Sequence, residues 1–199
     1  MLYMLSSEKD TRTKILSAAL ALIRRRAGAD ISLGEIARAA RLSRQAIYLH
    51  FADRADLLTA LVRYVDELRG LPGKIRKITN APSGVDAMRE MVHLQASDNP
   101  ELWPLARVFE AFRYADSAVE QSLQDRLKNR LEGCRAIIAR VQSEKKLRPG
   151  LEQETAADLL WTITSLRMWE DLVIQRGWSA ERYEEHVNQL LVSALLKTT

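Results

Sequence analysis

Arg44 and Gln45 stand side by side at the start of a short predicted helix, and both side chains carry several hydrogen-bonding groups. In a major groove, arginine binds the two acceptors of guanine, and glutamine binds the donor and the acceptor of adenine. Helical spacing places Arg44 and Tyr48 on one surface, away from the apolar Ile47. This pattern predicts a surface that reads base edges.

Further polar side chains near this pair are candidates for contacts with phosphate oxygens. Tyr48, His50 and Arg54 follow along the chain, and Ser32 and Ser43 each stand where a short helix is predicted to begin. Hydroxyl and guanidinium groups and helix N-termini commonly bind phosphates. The predicted nucleic-acid-binding set is Ser32, Ser43, Arg44, Gln45, Tyr48, His50 and Arg54.

Short helices have to position these side chains. Ser32 and Glu35, three residues apart, have the spacing of a capping box, which predicts a helix over residues 33–40. After a turn of about three residues a second helix is predicted over 43–50, and a supporting helix over 11–26 precedes both. Two short helices joined by a tight turn form a helix-turn-helix.

Residues 32–58 resemble the DNA-binding domain of the TetR (tetracycline-repressor-like) family, with the sequence SLGEIARAARLSRQAIYLHFADRADLL. The resemblance rests on the Ile-Ala pair, the Leu-Ser exit from the turn, the Tyr-x-His-Phe end and the basic residue that follows it. Arg41 stands where the family commonly has glycine, and this departure predicts a non-glycine residue at positive φ.

The resemblance implies a dimer that represses nearby genes by placing one recognition helix of each subunit in successive major grooves. It also implies release when a small molecule binds the C-terminal domain in its non-DNA-binding arrangement. The expected partners are operator DNA, a small-molecule effector and a second copy of the chain. The alternatives are a helical enzyme and a helical protein–protein module that does not read DNA.

The charge distribution is asymmetric along the 199 residues. Net charge is +4, and the first 70 residues hold twelve Lys and Arg against eight Asp and Glu, whereas the remainder is balanced. This asymmetry favours a polyanionic partner. The single cysteine, Cys134, excludes an internal disulfide, and the longest apolar run, residues 18–23, is short of the roughly 20 residues that span a membrane. The expected location is the cytoplasm, without membrane association.

Helical periodicity through nearly the whole chain predicts an all-α fold. A region rich in Gly and Pro, residues 70–84, predicts the joint between a helix-turn-helix domain, 1–70, and a helical effector-binding and dimerisation domain, 71–199. A fourth helix is predicted over 53–69. The helices predicted beyond the joint cover residues 85–97, 101–114, 117–146, 153–176 and 180–197.

Two C-terminal helices carry broad apolar faces. Between Leu159 and Trp169 hardly any polar face remains, which favours burial on both sides. One side is expected to face the core of the chain and the other a second subunit, in a four-helix interface. The alternative is that both faces are internal core. The predicted interface residues are Leu159, Ile163, Leu166, Tyr183, Val187, Leu190, Leu191 and Ala194.

Aromatic residues in the C-terminal part could line a largely apolar cavity with a few polar anchors, although solid core is the alternative. An inward Arg113 would favour an anionic ligand, and an inward Glu110 a cationic one. The predicted pocket residues are Trp103, Phe109, Phe112, Arg113, Trp161, Ser165, Met168 and Trp169.

Other chemistry finds little support in the sequence. Glu90 and His93 have the Glu-x-x-His spacing of di-metal bundles, but a second copy of the motif is absent. The chain has no Cys pair, no His-Glu-x-x-His and no glycine-rich phosphate loop, and Cys134 is interpreted as a packed residue. We therefore expect no catalytic function, no cofactor and no metal.

Overall fold

The computed structural model describes residues 2–28, 31–114 and 116–197, with side chains from Asp10 onward. These residues form helices and no strand, and Leu147 and Leu196 make an isolated antiparallel bridge. The predicted all-α class is confirmed. In the described ranges, the helices are α1 (Leu2–Arg25), α2 (Leu33–Ala40), α3 (Arg44–His50), α4 (Arg54–Leu68), α5 (Leu71–Thr79), α6 (Gly84–Phe112), α7 (Ser117–Ser143), α8 (Gln153–Ile163), α9 (Leu166–Trp169), a π-helical segment (Glu170–Gln175) and α10 (Ala180–Leu195).

Side-chain caps define the starts of α2 and α3, as the sequence predicts. The Ser32 Oγ accepts a hydrogen bond from the Glu35 backbone N–H at 3.2 Å, and the Ser32 backbone N–H donates to the Glu35 carboxylate at 2.8 Å. Ser43 accepts from the Ala46 backbone N–H at 3.1 Å. These bonds satisfy amide groups that a helix N-terminus leaves without an intrahelical partner.

The turn between α2 and α3 places Arg41 in the left-handed region, with φ 54° and ψ 46°. The predicted positive φ is therefore confirmed. The Arg41 N–H still donates to the Arg38 carbonyl at 3.1 Å, and the Leu42 N–H to the Ala37 carbonyl at 2.9 Å, which closes the end of α2. An L-residue in this conformation costs about 1–2 kcal/mol relative to the right-handed region.

The chain divides into two compact units. The first contains the described residues up to Arg69 together with Glu101–Gln124, and the second contains Gly70–Pro100 and the described residues from Asp125 onward. The predicted functional division at residue 70 stays a prediction. The fully buried core of the first unit includes Ile15, Ile23, Ile47, Phe51, Leu57, Leu61 and Val108.

Gly28 allows a close approach inside the first unit. Its φ is +82°, and a Cβ at this position would lie 2.5 Å from the Pro104 carbonyl oxygen and 2.7 Å from the Arg107 Cβ. A larger residue would have to displace backbone. Beside this contact the Arg24 guanidinium pairs with the Glu101 carboxylate. The end of α1 is thereby packed directly on α6.

A helix, α5, occupies part of the region predicted as a joint, where the sequence predicts no helix. Pro72 lies in the first turn, where its missing N–H breaks no helical bond. At the other end, Arg140 from α7 donates to the Ala81 carbonyl at 2.6 Å. The sequence separation of 59 residues explains why local signals miss this stabilising contact.

α6 is continuous where the sequence predicts two helices, and Pro100 and Pro104 both lie in its interior. Each proline removes a backbone donor, so packing must support the helix here. Asp98, two residues before Pro100, is buried and accepts a hydrogen bond from the Lys74 ammonium at 2.5 Å. Leu105 and Val108, beyond the prolines, are buried core residues.

The helix predicted over 153–176 is interrupted after Ile163. The Thr164 hydroxyl donates to the Leu160 carbonyl at 2.7 Å, and Ser165 caps α9 by accepting from the Met168 N–H at 3.1 Å. Such side chain to backbone bonds compete with helix continuation. Arg130 from α7 donates to the Trp161 carbonyl at 2.7 Å and to Thr164, which fixes the end of α8.

In the described ranges, no helix combines the length and the apolar character needed to cross a bilayer.

We predict that Arg41→Gly raises thermal stability, because glycine adopts the left-handed conformation without the Cβ penalty. The gain is about 0.5–1 kcal/mol after the larger backbone entropy of glycine in the unfolded chain is subtracted. Circular dichroism melting measures it. Arg38→Gly, an equal charge change inside α2, is the control and should lower the melting temperature. A decrease for both variants would contradict the assignment of strain to Arg41.

Candidate nucleic-acid interface

α3 presents a face that is polar apart from the exposed Leu49 to solvent, and an apolar face to the core. Arg44 and Gln45 are exposed, and Tyr48 retains 46% of its surface. On the other side Ile47 and Phe51 are buried. α3 therefore has the predicted orientation, and the exposed face of the helix carries guanidinium, amide and phenol groups.

Arg44 and Tyr48, one helical turn apart, are neighbours on this surface. The Arg44 Nη2 lies 3.4 Å from the Tyr48 hydroxyl oxygen, and the guanidinium carbon lies 6.0 Å from the ring centroid. Pairs at this spacing hold long side chains along the helix. The contact is long for a hydrogen bond, so Arg44 keeps donors for a ligand.

Both ends of α3 are held by side chains. At the N-terminus Ser43 provides the cap, and at the C-terminus the Arg12 Nη1 donates to the His50 carbonyl at 2.6 Å. The Arg12 guanidinium also lies 4.3 Å from the centroid of the Phe51 ring. Sequence reasoning missed Arg12, because no local pattern relates it to His50, 38 residues later.

Ser32 and Ser43 belong to the predicted set, and their hydroxyl groups are engaged within the chain. The Ser32 Oγ donates to the Glu35 carboxylate at 2.8 Å and accepts from the Glu35 N–H. The Ser43 Oγ accepts from the Ala46 N–H. Both side chains therefore position helices, and an additional ligand would have to share these hydroxyl groups.

Arg54 begins α4 and is half-buried. Its guanidinium carbon lies 3.6 Å from the centroid of the Phe112 ring. Asp53 caps the helix by accepting from the Asp56 N–H at 2.8 Å. The stacking on Phe112 restricts the direction of the Arg54 side chain. Phe112, predicted in the effector pocket, packs here against Arg54.

Glu35 carries the strongest local electrostatic effect near this surface. The Ser32 backbone N–H and then the Arg26 guanidinium, at 2.6 Å, donate hydrogen bonds to its carboxylate. These bonds stabilise the ionised form and lower the pKa of Glu35 to about 2. The capping box is therefore closed by a charged side chain at neutral pH.

The predicted pocket residues that lie in the first unit pack against other residues of that unit. The Arg107 guanidinium carbon lies 5.3 Å from the centroid of the Trp103 ring, and Phe109 is buried in the core. The Arg113 guanidinium binds Glu120 at 2.9 Å and Glu110 at 3.1 Å. The hydrogen bond from Arg113 lowers the pKa of Glu120, and the two carboxylates together balance the charge of Arg113.

The predicted pocket residues of the second unit are also packed. The Arg130 guanidinium carbon lies 4.6 Å from the centroid of the Trp161 ring, and Ser165 caps α9. Met168 is half-buried, and Trp169 is buried. A cavity of about 620 Å³ in this unit is formed by other residues, and the eight-residue pocket set stays a prediction. The residues that line this cavity are Gly73, Arg76, Lys77, Asn80, Ala81, Pro82, Asp86, Glu90 and His93.

The residues predicted for the dimer interface fall into two groups. Tyr183, Val187 and Leu191 are buried within the chain, so the prediction needs correction for them, because no surface remains for a partner. Leu190 is 42% exposed. The remaining members are half-buried: Leu159, Ile163, Leu166 and Ala194.

The structure also describes the surroundings of the residues considered for metal binding and for nucleophilic chemistry. Within the described ranges, His, Cys, Asp and Glu form no group of three or more that could hold a metal ion. His93 of the Glu-x-x-His motif lies 3.1 Å from the Glu184 carboxylate. Cys134 is buried, and burial raises the pKa of its thiol to about 11, so the thiol is protonated at neutral pH.

Sequence comparison connects the N-terminal helices to a known family. Residues 15–61 match the family model of the bacterial regulatory proteins of the tetR family. The HTH-type transcriptional regulator AcrR of Shigella flexneri is 45% identical over 53 residues, which are 27% of this chain and 25% of that protein. The match thus spans a quarter of this relative. It confirms the predicted resemblance for the helix-turn-helix.

Structural comparison extends to nearly the whole chain. A putative transcriptional regulator from Saccharomonospora viridis, solved in complex with choline, has a TM-score of 0.80 at 18% identity and covers 96% of this chain and 100% of that one. NalD, the secondary repressor of the MexAB-OprM multidrug efflux pump in Pseudomonas aeruginosa, has a TM-score of 0.68 at 21% identity, covering 96% and 98%. These similarities establish a shared fold.

We predict that the wild type is more stable than the Glu35→Gln variant, and that the size of this difference depends on pH. The lowered pKa of Glu35 means that its carboxylate stabilises the fold fully above the unfolded pKa of 4.5, and that this contribution disappears as pH falls through about 2. Glutamine keeps an acceptor without the charge. The difference in melting temperature between wild type and variant should be largest above pH 5 and shrink between pH 4.5 and 2. A constant difference would contradict the charge argument.

Proposed function

We propose that this chain, whose residues 15–61 belong to the TetR family of bacterial regulatory proteins, is a ligand-responsive, DNA-binding transcriptional repressor that acts as a homodimer in the cytoplasm. The observation that carries the proposal is the exposed Arg44–Gln45 face of α3, on a helix capped at both ends and backed by buried Ile47 and Phe51. The names of AcrR and NalD, a regulator and a repressor, support the assignment.

In this proposal α3 lies in the major groove. Arg44 donates two hydrogen bonds to guanine, and Gln45 pairs with adenine, so these two residues carry sequence preference. Tyr48, His50 and Arg54 contact phosphate oxygens around the groove. Ser32 and Ser43 contribute through the helix N-termini that they cap.

Two copies of α3 are needed to read two successive major grooves, which lie about 34 Å apart on one face of the duplex. We assign the dimer contact to α8 and to the flank of α10 that carries Leu190. Leu190 is an exposed apolar residue on this flank, and Leu159 and Ile163 of α8 are half-buried. An apolar surface of this kind is stabilised by burial against its copy.

Release from DNA requires a ligand that prefers the arrangement unable to bind the operator. The structural relative from Saccharomonospora viridis was solved with choline, which supports a small organic effector for this chain as a class. We keep the predicted residues of the second unit, Trp161, Ser165, Met168 and Trp169, as the candidate effector site. Its occupancy would change the populations of the two arrangements, with no chemical step.

Fluorescence anisotropy tests the central proposal. The purified protein is titrated into the intergenic duplex beside its own gene and into a shuffled duplex of equal composition, over a series of salt concentrations. We expect nanomolar binding to the intergenic duplex and a preference of about a thousandfold. Equal and steeply salt-dependent binding to both duplexes would reject sequence-specific regulation from this site.

We predict that Arg44→Ala weakens binding to the intergenic duplex by about 10- to 100-fold, because one bidentate base contact is worth roughly 1–3 kcal/mol. Binding to the shuffled duplex should change much less. Arg167→Ala is the matched control, since the Arg167 side chain is 81% exposed in the second unit and the charge change is equal. Equal losses on both duplexes would reject base reading by Arg44.

We predict that Leu190→Arg shifts the protein from dimer to monomer, because a charge would be buried at the proposed contact. Sedimentation velocity measures the change. Val192→Arg is the control, since Val192 is equally exposed but lies on the opposite flank of α10. A dimer that survives Leu190→Arg, or dissociates equally with Val192→Arg, would contradict the assigned face.

A further inference from the structure

We propose that Arg12 is a positioning residue for base reading, which anchors the C-terminal end of α3 and so sets the direction of Arg44 and Gln45. The inference rests on the proposed function, since it assigns a role in sequence preference. Arg12 lies on α1, outside the set of residues that face the groove, and acts through α3.

Arg12 donates a hydrogen bond to a carbonyl group that has no donor within α3. The last carbonyl groups of a helix have no intrahelical donor, and they carry the negative end of the helix dipole. The Arg12 Nη1 donates to the carbonyl of His50, the final residue of α3, at 2.6 Å. A cation that donates a short hydrogen bond at this end both caps the helix and complements its dipole.

Arg12 is itself held in place from two sides. Its guanidinium lies 4.3 Å from the centroid of Phe51, whose ring is buried in the core of the first unit. Ile15 and Leu16, on the following turn of α1, are buried in the same core. The hydrogen bond from Arg12 therefore links the end of α3 to the buried core of the first unit.

The length of α3 explains why this anchor affects recognition. A helix of seven residues is about 10 Å long, so a rotation at one end moves side chains along the whole helix. Bidentate contacts with base edges require a defined distance and angle, whereas phosphate contacts tolerate small displacements. Loss of the anchor should therefore reduce sequence preference more than general affinity.

Two substitutions separate the roles of the Arg12 side chain. Arg12→Met keeps an apolar stem against Phe51 and removes the charge and the donors. Arg12→Lys keeps a charge and a donor but lacks the planar group that stacks on the ring. Lys14→Met is the control, since Lys14 is an exposed cation on the same helix.

The experiment is the anisotropy titration on the intergenic and shuffled duplexes over a salt series, for wild type and the three variants. We expect Arg12→Met to weaken binding to the intergenic duplex about tenfold, with binding to the shuffled duplex and the salt slope unchanged within twofold. Arg12→Lys should retain part of the preference, and Lys14→Met should retain all of it. Amide exchange in the last turn of α3 should be faster in Arg12→Met than in wild type.

Two results would overturn the inference. Equal losses on both duplexes with a smaller salt slope would mean that Arg12 contacts phosphate directly. A lower melting temperature with unchanged preference and unchanged amide exchange would mean that Arg12 only stabilises the fold. If the wild type itself failed to distinguish the duplexes, the proposed function would fail first, whereas the other two results reject only the role of Arg12.

Discussion

The helix that carries Arg44 and Gln45 has seven residues, and a helix of this length is not stable in water without support. Its formation depends on contacts from the rest of the first unit. Ile47 and Phe51 bury its inner face, Ser43 satisfies its N-terminus, and Arg12 binds its last carbonyl group. Because the buried side and both ends are fixed, the exposed side chains start from defined positions, and a ligand need not order the helix when it binds.

The features of this site that sequence predicts are those encoded within a few residues. Ser32 and Glu35 form a cap by their spacing alone, and the apolar spacing of Ile47 and Phe51 defines which face is inward. The positive φ of Arg41 was predictable from the family resemblance, because glycine commonly stands at this position of the turn. These signals are local, so they persist regardless of how the remainder of the chain packs.

The predictions that failed concern helices whose ends depend on residues far away in sequence. Arg140 binds carbonyl groups beyond the end of α5, and Arg130 binds those at the end of α8, over separations of 59 and 31 residues. A breaker-rich segment such as Leu71–Thr79 becomes helical when such a partner is available, and an apolar segment such as 153–176 is interrupted when one stabilises the break. Sequence patterns contain the arginines but not their pairing.

Residue type alone also leaves open which candidates bind a ligand and which hold the structure. Ser32 and Ser43 have the groups expected of phosphate contacts, yet their hydroxyl groups complete helix caps. Arg12 resembles any cation on an amphipathic helix, yet it closes the opposite end of α3. Few exposed side chains therefore remain that could distinguish one DNA sequence from another. In the proposed function, sequence preference rests on Arg44 and Gln45 for base contacts and on the capping residues for the accuracy with which those contacts are placed.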